Sequence, residues 1–209
     1  MNLLITAGPT QEAIDPVRFI TNHSSGKMGY ALAEAAVARG WSVTLVSGPT
    51  VLQIPQNLSE FVSVISAAEM AETVKSRFSS MDAAILCAAV ADYRPIQVSK
   101  QKIKKTEGNL ILELERTEDI LKTLGERKIS NQILVGFAAE TDDIREHALE
   151  KLRKKNLDWI AANRVGVPNC GFCSSTNEIT LYNKEGKSYF LPMTEKKVLA
   201  VQMLDLIFS

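Results

Sequence analysis

Short unbroken apolar runs alternate along this chain with longer stretches whose apolar residues recur every three or four positions, a pattern of strands separated by helices. Asn2-Leu3-Leu4-Ile5-Thr6-Ala7 is the first run, ended by the turn residues Gly8-Pro9-Thr10. Trp41-Ser42-Val43-Thr44-Leu45-Val46 and Phe61-Val62-Ser63-Val64-Ile65 predict two more strands, and Ser66-Ala67-Ala68-Glu69 is a capping box opening a helix to about Phe78. Ala83-Ala84-Ile85-Leu86-Cys87-Ala88-Ala89-Val90 is apolar throughout, as a central strand covered on both faces would be. Further strands are expected over 110–114, 132–138 and 157–163, with helices capped by Thr117 and Thr141 reaching Arg127 and Lys155. Ile179–Tyr182 and Ser188–Leu191 form a hairpin, and Thr194 starts a closing helix with apolar Val198, Val201, Met203, Leu204 and Ile207. This order predicts one α/β domain over 1–209: a Rossmann-like, doubly wound, mostly parallel sheet with helices on both faces and a C-terminal β-hairpin.

The first helix carries the most distinctive stretch. Asn22-His23-Ser24-Ser25-Gly26-Lys27-Met28-Gly29 runs into Tyr30–Arg39 and stops at Gly40. Small residues and hydroxyls at a helix start leave backbone N–H groups open where the helix dipole favours negative charge, so Ser24, Ser25, Gly26 and Gly29 are candidate phosphate contacts. The preceding loop, Gln11–Thr21, is too polar and Pro-broken for a core element, and it falls where ligands bind in open parallel sheets.

Charge and composition narrow the chemistry. Lys and Arg number 24, as do Asp and Glu, so no net field points to nucleic acid or an acidic membrane, and an anion must be held locally. No apolar run approaches the roughly 20 residues of a spanning helix, and no signal-peptide pattern precedes the first strand, so a cytoplasmic address is expected. Cys87 lies in an apolar run, while Cys170 and Cys173 form a CxxC without a second pair or a nearby histidine, the pattern of ordinary cysteines in a reducing compartment.

Other candidates cluster at the same predicted edge. Ala91-Asp92-Tyr93-Arg94-Pro95 follows the central apolar run, and Ser99–Gly108 carries Lys100, Lys102, Lys104 and Lys105. Lys151 and Lys155, one turn apart on a helix, share a face. Lysines opposite a glycine-rich helix start suit a nucleoside triphosphate, whose charge must be screened before a nucleophile can approach phosphorus. The chain has no GxxxxGK[ST] and no GxSxG elbow, and His23 and His147 belong to no metal-spaced cluster. An NAD(P)-dependent oxidoreductase would need an acidic or basic ribose reader after the second strand, or a Tyr-x-x-x-Lys pair, and neither is present. A nucleotide-sensing module without chemistry stays open on the residues alone.

Seven blocks in order carry a family resemblance: Ile5–Thr10, Asp15-Pro16-Val17-Arg18, Asn22–Gly29, Ala88–Tyr93, Lys102-Ile103-Lys104-Lys105, Gly136–Thr141 and Ala162-Asn163. Together they resemble bacterial phosphopantothenate-cysteine ligase, also called phosphopantothenoylcysteine synthetase, over nearly the whole chain. The resemblance implies a ligase of coenzyme A biosynthesis that activates the 4'-phosphopantothenate carboxylate with CTP as an acyl-cytidylate, releasing pyrophosphate. L-cysteine then displaces CMP. It also implies Mg²⁺ with the triphosphate, no metal site assignable to particular residues, a homodimer, and a separate phosphopantothenoylcysteine decarboxylase as a possible functional partner. With its first strand at Asn2 the sequence resembles the stand-alone form, for which flavin is not expected.

Carried over by position, CTP contacts fall on Leu86, Cys87, Ala88, Asp92, Lys102, Leu134, Val135, Gly136, Phe137, Lys151 and Lys155. Asn22 matches the acyl-intermediate site and, with Lys102, is the catalytic expectation; Arg18, Ala88 and Ala89 match substrate-binding positions. Backbone groups near Phe137 would read cytosine's edge, and 99–108 resembles the family's mobile flap. Two departures are expected to leave the site untouched: the cysteines flanking Gly171-Phe172, and Arg116-Thr117-Glu118-Asp119 in place of a Lys-Asn-Pro-Asp type of stretch.

Overall fold

A computed structural model describes residues 1–105, 107–140, 144–164 and 174–209. The first strand β1 (Asn2–Ala7) is followed by a hairpin of β2 (Gln11–Ala13) and β3 (Phe19–Thr21), helix α1 (Lys27–Ala38) and strands β4 (Ser42–Ser47) and β5 (Glu60–Ser63). Helix α2 (Ala67–Phe78) leads to β6 (Ala83–Leu86), a second hairpin of β7 (Tyr93–Pro95) and β8 (Leu114–Arg116), and α3 (Ile120–Arg127). Then come β9 (Ile133–Glu140), α4 (Ile144–Lys154), β10 (Trp159–Arg164), β11 (Thr176–Asn183), β12 (Ser188–Glu195) and α5 (Lys196–Ile207).

Eight strands form one sheet in the order β12-β11-β10-β9-β6-β1-β4-β5, with β11 and β12 antiparallel and the other neighbours parallel. Successive strand residues point to opposite faces, so β1 feeds two cores: Leu3, Ile5 and Ala7 pack under α1 and α5, and Leu4 packs under α2, α3 and α4. The order reverses between β1 and β6, the switch point at which open α/β sheets bind ligands. The predicted fold class is the observed one.

Local departures have identifiable causes. The apolar run predicted as a strand to Val90 leaves the ladder after Leu86, because Cys87–Ala91 are held by side chains of β1 and the following turn instead of a neighbouring strand. Helix α3 is capped by Asp119, whose Oδ1 accepts the Lys122 N–H at 3.0 Å, while the expected cap, Thr117, donates its hydroxyl to the Ala91 carbonyl at 2.6 Å. Thr194 lies in β12, and α5 opens after Glu195. The expected Ser66 cap is present, with its Oγ accepting the Glu69 N–H at 3.2 Å. The Thr141 cap and the Cys170/Cys173 pair lie outside the described residues.

Candidate active site

A cleft of about 840 Å³ opens at the carboxyl edge of the sheet, over the β1/β6 switch point. Its floor is the turn after β6. The Ala88 N–H donates to Thr6 Oγ1 at 3.1 Å, the Ala89 N–H to the Gly8 carbonyl at 2.9 Å and the Ala91 N–H to Thr10 Oγ1 at 2.9 Å. These bonds fix Leu86, Cys87, Ala88 and Ala89 along the cleft, all of them expected contacts.

One wall is the start of α1. Gly26 holds φ at +77°, the left-handed region where a side chain is strained, and it turns the chain into the helix. A Cβ on Gly29 would lie 2.6 Å from Ala7 Cβ, so glycine there lets α1 sit directly on β1. No side chain caps α1 and no acid lies in its first turn, which leaves its positive end to the cleft alongside Ser24 and Lys27.

The facing wall comes from the β8–α3 turn and α4. Lys155 Nζ sits 2.8 Å from Asp119 Oδ2, Lys75 Nζ sits 2.6 Å from Glu118, and Lys151 and Phe137 complete that side. The cleft therefore has a side of mixed charge, where Lys155 is paired with Asp119, and an uncapped-helix side, joined by a floor of backbone.

Twelve of the expected residues line this cleft: Asn22, Ser24, Gly26, Gly29, Leu86, Cys87, Ala88, Ala89, Asp92, Phe137, Lys151 and Lys155. Leu134, Val135 and Gly136 do not. Leu134 and Val135 are fully buried toward opposite faces of the sheet, and the space a Gly136 Cβ would take is filled by Leu121 and Leu157. Of that run only Phe137 reaches far enough along β9. Ser25, Arg18 and Lys102 also lie off the lining, the latter two exposed on the arms beyond the sheet. Asn22 Nδ2 donates to the carbonyls of Ala89 and Val90, each at 3.1 Å, so its amide donors are engaged with the cleft floor.

The sequence reading missed other lining residues. Arg116, Thr117, Glu118 and Asp119 face the cleft, although that departure from the resemblance was expected to leave the site alone. Asn163, Asn177 and Lys196 also line it while buried, Lys196 to 5 % exposure. Lys196 offered a signal: a lysine in the first turn of a helix opposes the dipole and needs a local reason. Burial pushes the Cys87 thiol up to about 12, against a smaller downward pull from Lys196, so Cys87 is a neutral thiol and no nucleophile.

Residues 1–209 match the family described as DNA/pantothenate metabolism flavoprotein C-terminal domain. The chain belongs to this family. It is 53 % identical over 204 residues to the coenzyme A biosynthesis bifunctional protein CoaBC of Bacillus subtilis, covering 98 % of this chain and 50 % of the relative. The chain thus spans about half the length of the curated relatives it matches. The crystal structure of the C-terminal domain of a CoaBC superposes with TM-score 0.83 at 48 % identity, covering 99 % of this chain and 94 % of that domain. A Cab2 variant in complex with phosphopantothenate-cysteine shares the fold, with TM-score 0.81 at 19 % identity over 99 % of this chain and 84 % of that one.

Proposed function

We propose that this chain is a phosphopantothenate-cysteine ligase of coenzyme A biosynthesis, with CTP as the activating nucleotide. The observation that carries the reading is one cleft bounded by the uncapped α1 start, the pinned Leu86–Ala89 floor and Lys151/Lys155, in a chain aligned end to end with the C-terminal domain of CoaBC. In the first step the 4'-phosphopantothenate carboxylate attacks the α-phosphorus of CTP, and pyrophosphate leaves as the bond to the β-phosphate breaks. The cysteine amine then adds to the acyl carbon, loses a proton and expels CMP, giving 4'-phosphopantothenoylcysteine.

Each step has a demand that this chain's groups can meet. Attack by an anion on a polyphosphate needs charge neutralisation, which the α1 N–H groups, Lys151, Lys155 and Lys102 supply. Cysteine addition needs a donor for the developing oxyanion. Asn22 serves there by exchanging one of its two carbonyl bonds for the reacting oxygen. Mg²⁺, if brought with the triphosphate, would supply further screening of its charge. Among the described residues no three His, Cys, Asp or Glu are grouped to hold a metal, and Asp92 on the cleft lining is the carboxylate that would help hold the ion. No flavin has a part in this chemistry.

Segment 99–108 is proposed to close over the acyl-cytidylate and exclude water, because an exposed acyl phosphate hydrolyses. A homodimer is part of the reading, supported by exposed Val17, Phe19, Ile96 and Val98 on the arms beyond the sheet. A separate decarboxylase acting on the product is part of the reading.

The test is pyrophosphate release by the purified protein with Mg²⁺, 4'-phosphopantothenate and each nucleoside triphosphate in turn, with and without cysteine. Release with CTP alone, turned by cysteine into sustained formation of phosphopantothenoylcysteine and CMP, is expected. Equal turnover with ATP would remove base selection near Phe137, and no consumption of any nucleotide would reduce the protein to a binding module.

A further inference from the structure

Among the described residues the Asp15 carboxylate is heavily bonded, and it lies on an arm whose residues belong to neither hydrophobic core. Its side chain is 0 % exposed. Oδ1 accepts the N–H groups of Val17 at 2.8 Å and Arg18 at 2.9 Å. Oδ2 accepts Arg18 Nε at 3.0 Å, Arg18 Nη2, and the Ile103 N–H at 3.0 Å. Arg18 Nη2 also donates to the Ile103 carbonyl at 3.0 Å, so the pair grips one residue of the lysine segment through the peptide groups on both its sides. A third bond, Ser99 N–H to the Ile14 carbonyl at 3.0 Å, fixes the start of the same segment.

The arm that provides this grip is itself tied to the sheet. The Gln11 N–H donates to the Ile65 carbonyl at 2.8 Å, Glu12 accepts the Ala67 N–H at 2.8 Å, and Thr21 Oγ1 donates to the Thr10 carbonyl at 2.7 Å. A rigid path therefore runs from the sheet edge through Asp15 to Ile103, the residue between Lys102 and Lys104. Burying a carboxylate is costly unless it is fully bonded, and here its bonds stabilise no core. What they fix is the base of a lysine-bearing loop.

We propose that Asp15, together with Arg18, is a positioning residue for this loop: the pair holds the Ile103 backbone on both sides so that Lys102 meets the nucleotide phosphates from a fixed base. The inference rests on the reading of Lys102 as a CTP contact. Arg18 holds the Asp15 carboxyl well below the usual carboxylate range, with the backbone N–H groups adding to it and burial opposing, so the grip is charged throughout the neutral range.

The test pairs hydrogen exchange with kinetics in Asp15→Asn, which replaces an accepting oxygen by an N–H₂ facing donors. Exchange across 99–105 should rise at least about tenfold and kcat/KM for CTP fall at least about tenfold, the scale of one lost charge-assisted hydrogen bond, with sheet amides unchanged. Arg18→Lys, which keeps the charge but not the two-pronged contact with Asp15 and the Ile103 carbonyl, should raise exchange across 99–105 in the same direction, which keeps the test decisive if Asp15→Asn does not fold. Unchanged exchange across 99–105, or raised exchange with CTP kinetics intact, overturns the proposal. If the wild type consumes no CTP, the ligase reading fails while the exchange result alone decides whether Asp15 holds the segment.

Discussion

At the amino edge of the sheet, Asp158 accepts Lys128 Nζ at 2.7 Å, Lys184 Nζ at 3.2 Å and the Leu134 N–H at 2.9 Å, and Gln132 donates to the carbonyls of Phe78 at 2.8 Å and Met81 at 2.9 Å. At the carboxyl edge, Asn163, Asn177 and Lys196 are as deeply buried yet face about 840 Å³ of open cleft, and α1 begins without a side-chain cap. The same sheet thus buries polar groups among its own elements at one end and along a solvent-open cleft at the other. Buried polar groups cost stability unless bonded, and the amino-edge groups make their bonds to strand and helix ends, whereas the carboxyl-edge groups also form the lining of the cleft.

The comparison breaks most sharply on Asp158→Ala. It leaves Lys128 buried without its carboxylate and the Leu134 N–H unbonded, and it should cost about 3–5 kcal/mol in urea unfolding, with the residual fold still binding CTP. A loss below about 1 kcal/mol would mean the amino edge is not what holds the sheet closed. Asn22→Ala is the mirror experiment at the other edge. Removing an exposed carboxamide bonded to the cleft floor should leave unfolding near wild type while the ligation rate drops about a hundredfold to a thousandfold, the effect of one missing oxyanion donor. Full activity or an unfolded protein would contradict that assignment.

Gly29→Ala falls between the two edges, because its Cβ would press on Ala7 in β1. Overpacking of about 1–3 kcal/mol is expected, together with weaker CTP binding by calorimetry as the α1 start shifts. Normal affinity would separate the helix start from the nucleotide. The mildest probe is pH. Burial, the largest influence on Asp158, pushes its carboxyl up, but Lys128, the Leu134 N–H and Lys184 together hold it below the ordinary carboxylate value. A group lowered in the folded state contributes stability above its unfolded pKa, near 3.9, and loses it as pH falls through the folded value. Unfolding followed below about pH 4 should therefore be steeper in the wild type than in Asp158→Asn.

Much of the site was legible because it is local. The Asn22–Gly29 block marks a helix start by residue type and position alone, Lys151 and Lys155 announce a shared face by their spacing, and both come to line the cleft. Of the Leu134–Phe137 run only Phe137 lines the cleft: Val135 points to the same face but lies deeper in the strand, and residue identity does not say how far along a strand the edge lies. Arg116–Asp119 escaped notice because its role depends on a turn brought beside α4 by the sheet, where Asp119 meets Lys155 from 36 residues away.

By itself the sequence determined the periodicities, hence the elements, and with them the right-handed β-α-β order that makes a doubly wound sheet the economical solution. It also determined the residues that must open α1, because a positive φ at Gly26 and a Cβ-free Gly29 are properties of those residues. Only the tertiary structure decided which polar groups are closed off and which face the cleft. Lys196, Asn163 and Asp15 acquire their roles from partners distant in sequence, and the Asp15–Ile103 contact spans 88 residues. Such pairings are fixed by how the sheet and its arms pack together, which local pattern does not encode.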